Sequence, residues 1–221
     1  MLINADFSKP ATVSAADHDW IPSPQGGVER VMLDRIGAEQ ARATSLVRYA
    51  PGSHFPSHAH PRGEEILVLQ GTFSEEGVDY PAGWYLRSPH GSRHQPSSKD
   101  GATIFVKLRQ MSEEPQGLLR LNTADPSLWQ QGISHAVCHL YADEHEKVDL
   151  YRVSPSRELP VPIEVGVEIL VVAGEVEYDG KNFAAYSWIR LPEGCNASVC
   201  ACEAGATIYV KSGHLNKVVR T

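Results

Sequence analysis

The sequence has no C-x-x-C pair, no cluster of lysine or arginine, and no apolar run near the length of a membrane helix. No stretch keeps a helical period beyond two or three turns, although "IGAEQARAT" fits one short helix or a loop. The four cysteines, Cys138, Cys195, Cys200 and Cys202, all fall in the second half, and their spacing reads as free thiols rather than a disulfide framework. A formal charge of −7 and a pI near 5.8 leave little with which to neutralise phosphate, so nucleic acid is excluded as a partner. A membrane helix needs about 18 consecutive apolar residues, and none is present. The start, "MLINADFSKPATVSAADHDW", has neither the basic opening nor the apolar core of a secretory signal, so the expected location is cytoplasmic.

What is present is strand-forming. "ATSLVRYA", "EEILVLQG", "ATIFVKLRQ", "KVDLYRVS", "VEILVVAG" and "ATIYVKS" are short runs rich in Val, Ile, Leu and Tyr, set off by Gly, Pro, Ser or Asp. That pattern fits an all-β sandwich or barrel. The runs also repeat. "GEEILVLQG" at Gly63 is echoed by "GVEILVVAG" at Gly166, and at the same offset Arg87, Pro89 and Gly91 fall on Arg190, Pro192 and Gly194. With one inserted residue, "GATIFVK" at Gly101 falls on "GATIYVK" at Gly205. A period of roughly a hundred residues is too long for a solenoid unit and suits a whole small domain. The expected organisation is a first domain over residues 1–116 and a second over 117–221, joined through "SEEPQGLLRLNTADPS" and packed as a pseudo-dimer in which each covers the other's sheet edge.

The chemistry concentrates in "GSHFPSHAHPRGEEILVLQG". On a strand, His58 and His60 point to one face, so both imidazoles can converge on one point. Pro61, Arg62 and Gly63 can turn the chain and bring the Glu64 carboxylate back to it. Further on, Pro89 and Gly91 can return His94 to the same place. Three imidazoles and one carboxylate suit Zn, Fe(II), Mn, Ni or Co, with positions left open in a five- or six-coordinate ion. An H-x-H pair alone is more often two exposed or hydrogen-bonded residues than a metal site, so the surrounding pattern decides.

That pattern resembles the cupin superfamily. Gly52, His58, His60, Glu64 and Gly71 satisfy every position of the first cupin motif, G-x5-H-x-H-x3-E-x6-G, and Gly83, Pro89, Gly91 and His94 satisfy the second except at its end, where Ser98 replaces Asn. The resemblance implies two tandem cupin barrels of the jelly-roll, or double-stranded β-helix, type. It also implies a metal held by His58, His60, Glu64 and His94, with zinc the first choice and Fe, Mn or Ni as alternatives. More narrowly, the paired Glu64 and Glu65, "LVLQGTF", "YPAGWYLRSP" and "IFVKL" resemble the cupin-like domain of the ChrR anti-ECF sigma factors. The sigma-binding helical region of that family, with its own His and Cys ligands, has no counterpart in the first fifty residues, which hold His18 and no cysteine.

In the second repeat His58 falls on Val161, His60 on Ile163, Glu64 on Val167 and His94 on Ala197. A metal is therefore not expected there, and the domain reads as structural, as partner to the first or as the surface of a homodimer. Glu65 keeps its equivalent in Glu168, which suggests that it points away from the ligand face. Cys195, Cys200 and Cys202 read as small packed residues, with a redox-sensitive cluster as the sharper alternative. His135 and His139 would meet only on a helix, whereas the alternation of "HAVCHLYADEH", which also holds His145, argues for a strand. His54 and His90 flank the ligands as proton carriers or as exposed loop residues.

Two functions follow. The first is a ChrR-type zinc sensor in a transcriptional stress response, taking a small molecule or oxidant at the metal and signalling to a protein partner of the sigma-factor pathway. The second is a metal-dependent dioxygenase acting on a small diketone or hydroxyketone.

Overall fold

The computed structural model describes the whole chain except residues 39, 115, 162, 216, 217 and 219–221. Its regular structure is almost entirely strand, and all the strand pairings are antiparallel. No helix among the described residues is long and apolar enough to cross a membrane. In "IGAEQARAT", Ile36 ends one strand and Arg42 starts the next, and residue 39 between them lies outside the described residues.

The chain forms two compact units. The first comprises Met1–Ala5 and Asp19–Ala124, the second Asp6–His18 and Asp125–Thr221. In the first, the sheet runs through Leu2–Ile3, Val28–Ile36, Arg42–Tyr49, Ala102–Leu108, Glu64–Glu75, Trp84–Ser88 and Leu119–Asn122. The second follows the same order with Trp129–Gln131, His135–Ala142, Lys147–Val153, Val199–Ser212, Val165–Tyr178, Trp188–Glu193 and Ala11–Val13. The repeat read from three sequence blocks is thus a repeat of topology.

The borders differ from those expected in two places. "LLRLN" is not linker: Leu119–Asn122 pairs with Trp84–Ser88, placing Arg120 opposite Leu86. Ala11–Val13 pairs with Trp188–Glu193, placing Thr12 opposite Ile189. In each unit the last strand of the sheet therefore comes from the segment preceding the other repeat. A three- or four-residue strand carries too little alternation to be recognised from its own composition.

Each barrel has an apolar interior. Val28, Tyr49, Ile66, Val68, Phe73, Leu86, Ile104 and Val106 line the first, and Tyr151, Ile163, Val167, Ile169, Ile189, Leu191, Ile208 and Val210 belong to the second. The opposite face of the central strands is buried too, which is why these runs look continuously apolar rather than alternating. That face holds a row of charge. Glu65 sits across from Arg87 and Lys107 on its two neighbouring strands and pairs with Arg87 at 3.1 Å. Glu168 sits likewise across from Arg190 and Lys211. Buried charges persist only when paired, and this row explains why Glu, Arg and Lys recur between the repeats.

The closing glycine of the first motif has a steric cause. Gly71 and Gly174 adopt φ of 70° and 75°, and a Cβ on either would collide with the carbonyl oxygen of Gly101 or Gly205. Both the backbone conformation and the close approach require glycine.

Candidate metal centre

The short strands His58–His60 and Ser92–His94 pair with each other in a register that sets His94 opposite His58 and Ser92 opposite His60. Strand alternation sends His58 and His60 to one side, and the pairing adds His94 to it. One ring nitrogen from each of the three lies within 4.8 Å of the other two, the one such group of three among the described residues. Glu64 opens the next long strand, and its Oε2 lies 3.5 Å from Nε2 of His60 and 3.5 Å from Nε2 of His94.

Hydrogen bonds fix which nitrogen each ring presents. His58 Nδ1 is 2.9 Å from the Pro56 carbonyl, so it carries the proton and leaves Nε2 as a lone-pair donor. His94 Nδ1 is 2.5 Å from Oε2 of Glu75, which likewise turns its Nε2 inward. Glu75 is held in turn by Arg120, whose Nη2 donates to Oε1 at 2.5 Å. A carboxylate behind an imidazole is the usual support of a metal-binding histidine, because it fixes the tautomer and raises the basicity of the ring.

The site tests well for an ion. Nε2 of His60 and Nε2 of His94 stand 2.8 Å apart with at most one proton to share. Oε2 of Glu64 is buried with no hydrogen-bond partner. Burial, reinforced by Glu75 and opposed by His94 and Arg120, pushes the Glu64 carboxyl up to about 7. His60 is pushed down to about 3, first by burial and then by His94 and His58, and burial lowers His58 as well. For His94, burial again works against the charged form, but the Glu75 hydrogen bond and the charges of Glu64 and Glu75 outweigh it and raise the ring. Inward lone pairs and a crowded, unsatisfied carboxylate are what a divalent cation would relieve.

A cavity of about 350 Å³ adjoins the three histidines and Glu64. Val28, Val47, Tyr49, Phe55, Ile104 and Val106 supply its apolar wall. Tyr49 keeps its proton, because burial and the nearby Glu64 both raise its phenol. The site thus has donors on one side and room for a small ligand on the other.

The flanking candidates are not part of it. His54 is exposed on an edge pairing with Ser97. His90 is exposed, and its Nδ1 accepts from the Arg62 amide. Ser98, in the place of the motif's Asn, donates to the Thr72 carbonyl at 2.7 Å, a purely supporting bond. His135 and His139 lie on a strand, His139 pairing with Asp149 at 2.6 Å and His135 packing on Tyr151. His145 pairs with Glu144. Cys195, Cys200 and Cys202 are unpaired and half-buried, and burial together with Glu175 raises the Cys202 thiol, the reverse of a reactive cysteine.

Glu75 and Arg120, which stand behind the His94 ring, are the residues of the candidate site that motif reasoning passed over. At the repeat offset Glu75 falls on Tyr178, and the strand register places Arg120 where the second unit has Thr12. That these two positions lose their charge in the same unit as the ligands is the sequence signal that could have found them.

The family model of the ChrR cupin-like domain matches residues 8–112. No curated protein matches the chain. Among solved structures, a Nostoc punctiforme protein provisionally described as a dioxygenase is similar at 14% identity and a TM-score of 0.70, over 95% of this chain and 81% of its own. The Escherichia coli pirin YhhW, solved with nickel(II), is similar at 15% and 0.65, over 92% and 98%. Bacillus subtilis oxalate decarboxylase, whose structure concerns its Mn(II) centers, is similar at 13% and 0.64, over 92% and 77%. These likenesses establish the fold, two cupin-type barrels in tandem, and residues 8–112 resemble the ChrR cupin-like domain.

Proposed function

We propose that the first unit is a metal-dependent sensor module of the ChrR type, in which His58, His60, Glu64 and His94 hold one divalent ion, zinc by preference. The observation that carries this reading is the arrangement of hydrogen bonds behind the rings: His58 to Pro56 and His94 to Glu75 leave Nε2 of each turned inward, beside an unsatisfied Glu64. A bound ion would supply Lewis acidity at the wall of the cavity. The protein residues would hold the ion, keep water ordered around it and present it to a small molecule. The match of residues 8–112 to the ChrR domain supports a regulatory role and a protein partner in the sigma-factor pathway. The second unit, in this reading, carries no metal and serves the first.

A dioxygenase acting on a small diketone or hydroxyketone is the second reading, and the cavity beside the donors is the observation that favours it. Two measurements separate the readings: elemental analysis of protein purified without added metal, and oxygen uptake on a panel of diketones. Roughly one equivalent of tightly held zinc with no oxygen uptake is the expected result. Iron with diketone-dependent oxygen uptake would overturn the sensor in favour of the enzyme, and absence of any metal would overturn both.

A further inference from the structure

Metal coordination leaves unused a marked imbalance of charge in the same cavity. Among the described residues lining it, Glu64 is the one carboxylate, whereas Arg30, Arg35 and Arg109 are all cations. Arg109 donates to Gln40 at the exposed rim. Arg30 and Arg35 have no carboxylate partner among the described residues. Arg35 is only 6% exposed, and its guanidinium donates to the Ala38 carbonyl. Arg30 has a buried Nε with no partner. Burial, and then the charge of Arg30, lower the Arg35 guanidinium from its usual range. Two guanidinium groups lining one cavity without a carboxylate partner favour an anionic occupant.

The backbone is shifted so that both face the same side. Residues five apart on a regular strand face opposite sides. The strand Val28–Ile36, however, has a register shift between Met32 and Asp34. Arg30 therefore pairs with Val47 and Arg35 with Ala43, two partners four apart and so on one face. A bulge re-aims the side chains that follow it in this way. The second unit keeps the bulge, between His139 and Tyr141, but its register places Val137 where the first has Arg30 and Ala142 where the first has Arg35. Both arginines are thus absent from the barrel in which all four ligand positions are apolar. Had they served the fold alone, the same bulge in the same topology would have had the same use for them.

We infer that the small molecule taken by this centre is an organic carboxylate, held by the Arg30 and Arg35 guanidinium groups while the rest of it faces His58, His60 and His94. Planar, bidentate hydrogen bonding to a carboxylate is what paired guanidinium groups do best, and a neutral diketone would leave them unsatisfied. The inference rests on the metal-centre reading and names the ligand class of that same site.

Isothermal titration of the zinc-loaded full chain with oxalate, 2-oxoglutarate and neutral acetylacetone tests it. At least one carboxylate is expected to bind roughly tenfold or more tightly than acetylacetone, and Arg30→Gln and Arg35→Gln are each expected to weaken it by about tenfold or more. Zinc content should stay at the wild-type level in both variants. Equal binding of acetylacetone, or undiminished carboxylate binding in the folded variants, overturns the inference. Should Arg35→Gln fail to fold, Arg30→Gln and the wild-type selectivity decide. Failure of the wild type to take up zinc overturns the metal reading instead, whereas normal zinc uptake without carboxylate preference overturns the arginine inference alone.

Discussion

Two barrels built on one strand order carry opposite interiors. Glu65, Arg87 and Lys107 on the outer face of the first recur as Glu168, Arg190 and Lys211 in the second, paired across the same strands. Inside, His58, His60, Glu64 and His94 give way to Val161, Ile163, Val167 and Ala197, all packed in or against the apolar core. The difference separates two kinds of constraint. A buried row of charge on the outer face is needed by the fold itself and survives in both copies. A cluster of donors in the interior is costly to the fold and survives in the copy that, in the metal-centre reading, uses it.

The largest effect is expected where the first interior is converted toward the second. His60→Ala should cut bound metal steeply from about one equivalent, since it removes the ring that stands beside both His94 and Glu64. Elemental analysis checks it, and an unchanged stoichiometry would remove His60 from the ligand set. The reverse conversion comes next. Val167 is fully buried, so Val167→Glu places one carboxylate among Ile163, Ile169 and Leu191 with no partner. Denaturant unfolding should show a loss of about 3–5 kcal/mol. A loss under about 1 kcal/mol would mean that the second interior admits water, and the contrast between the barrels would be weaker than the packing implies.

How far this contrast was legible in the sequence depended on the distance over which each residue acts. The strands, the duplication and the four donors are short-range patterns: apolar runs between turn residues, blocks at a constant offset, and an H-x-H followed by Glu in fixed spacing. Ligand loss in the second repeat could be read position by position. Glu75 and Arg120 lose their charge in the same way, but no local motif marks them, because they reach His94 only through strand pairings that bring residue 120 beside residues 87 and 88. Arg120 also stands in a polar stretch whose composition reads as linker. The exchange of Ala11–Val13 and Leu119–Asn122 escaped for a related reason: strands so short carry little periodicity, although "SAAD" at Ser14 and "NTAD" at Asn122 hint that the two segments are copies. Arg30 and Arg35 were hidden by the bulge, since strict alternation assigns them to opposite faces.

The support behind His94 offers a finer test. Glu75→Gln keeps the shape but loses the charge that fixes the His94 tautomer and pairs with Arg120. Metal affinity should fall by about 10–100-fold, as for other outer partners of metal-binding histidines, while folding persists. A competition titration against a chelator measures it. Affinity equal to wild type would show that Glu75 packs against the ring without tuning it.

The smallest effect is expected at the cysteines of the second barrel. Cys202 is half-buried, and burial followed by its hydrogen bond to Glu175 raises its thiol. A thiol so held is mostly protonated at neutral pH, and the thiolate is the form that reacts. Alkylation of Cys202 by iodoacetamide at pH 7.5, followed by mass spectrometry, should therefore run slower than that of a free cysteine peptide. Cys202→Ser should change stability by less than about 0.5 kcal/mol, as for substitutions away from a buried network. Faster alkylation than the peptide, or a metal content that responds to oxidation of Cys202, would give the second barrel a chemistry of its own. In that case the loss of its ligands would mark a change of function rather than its retreat to structure.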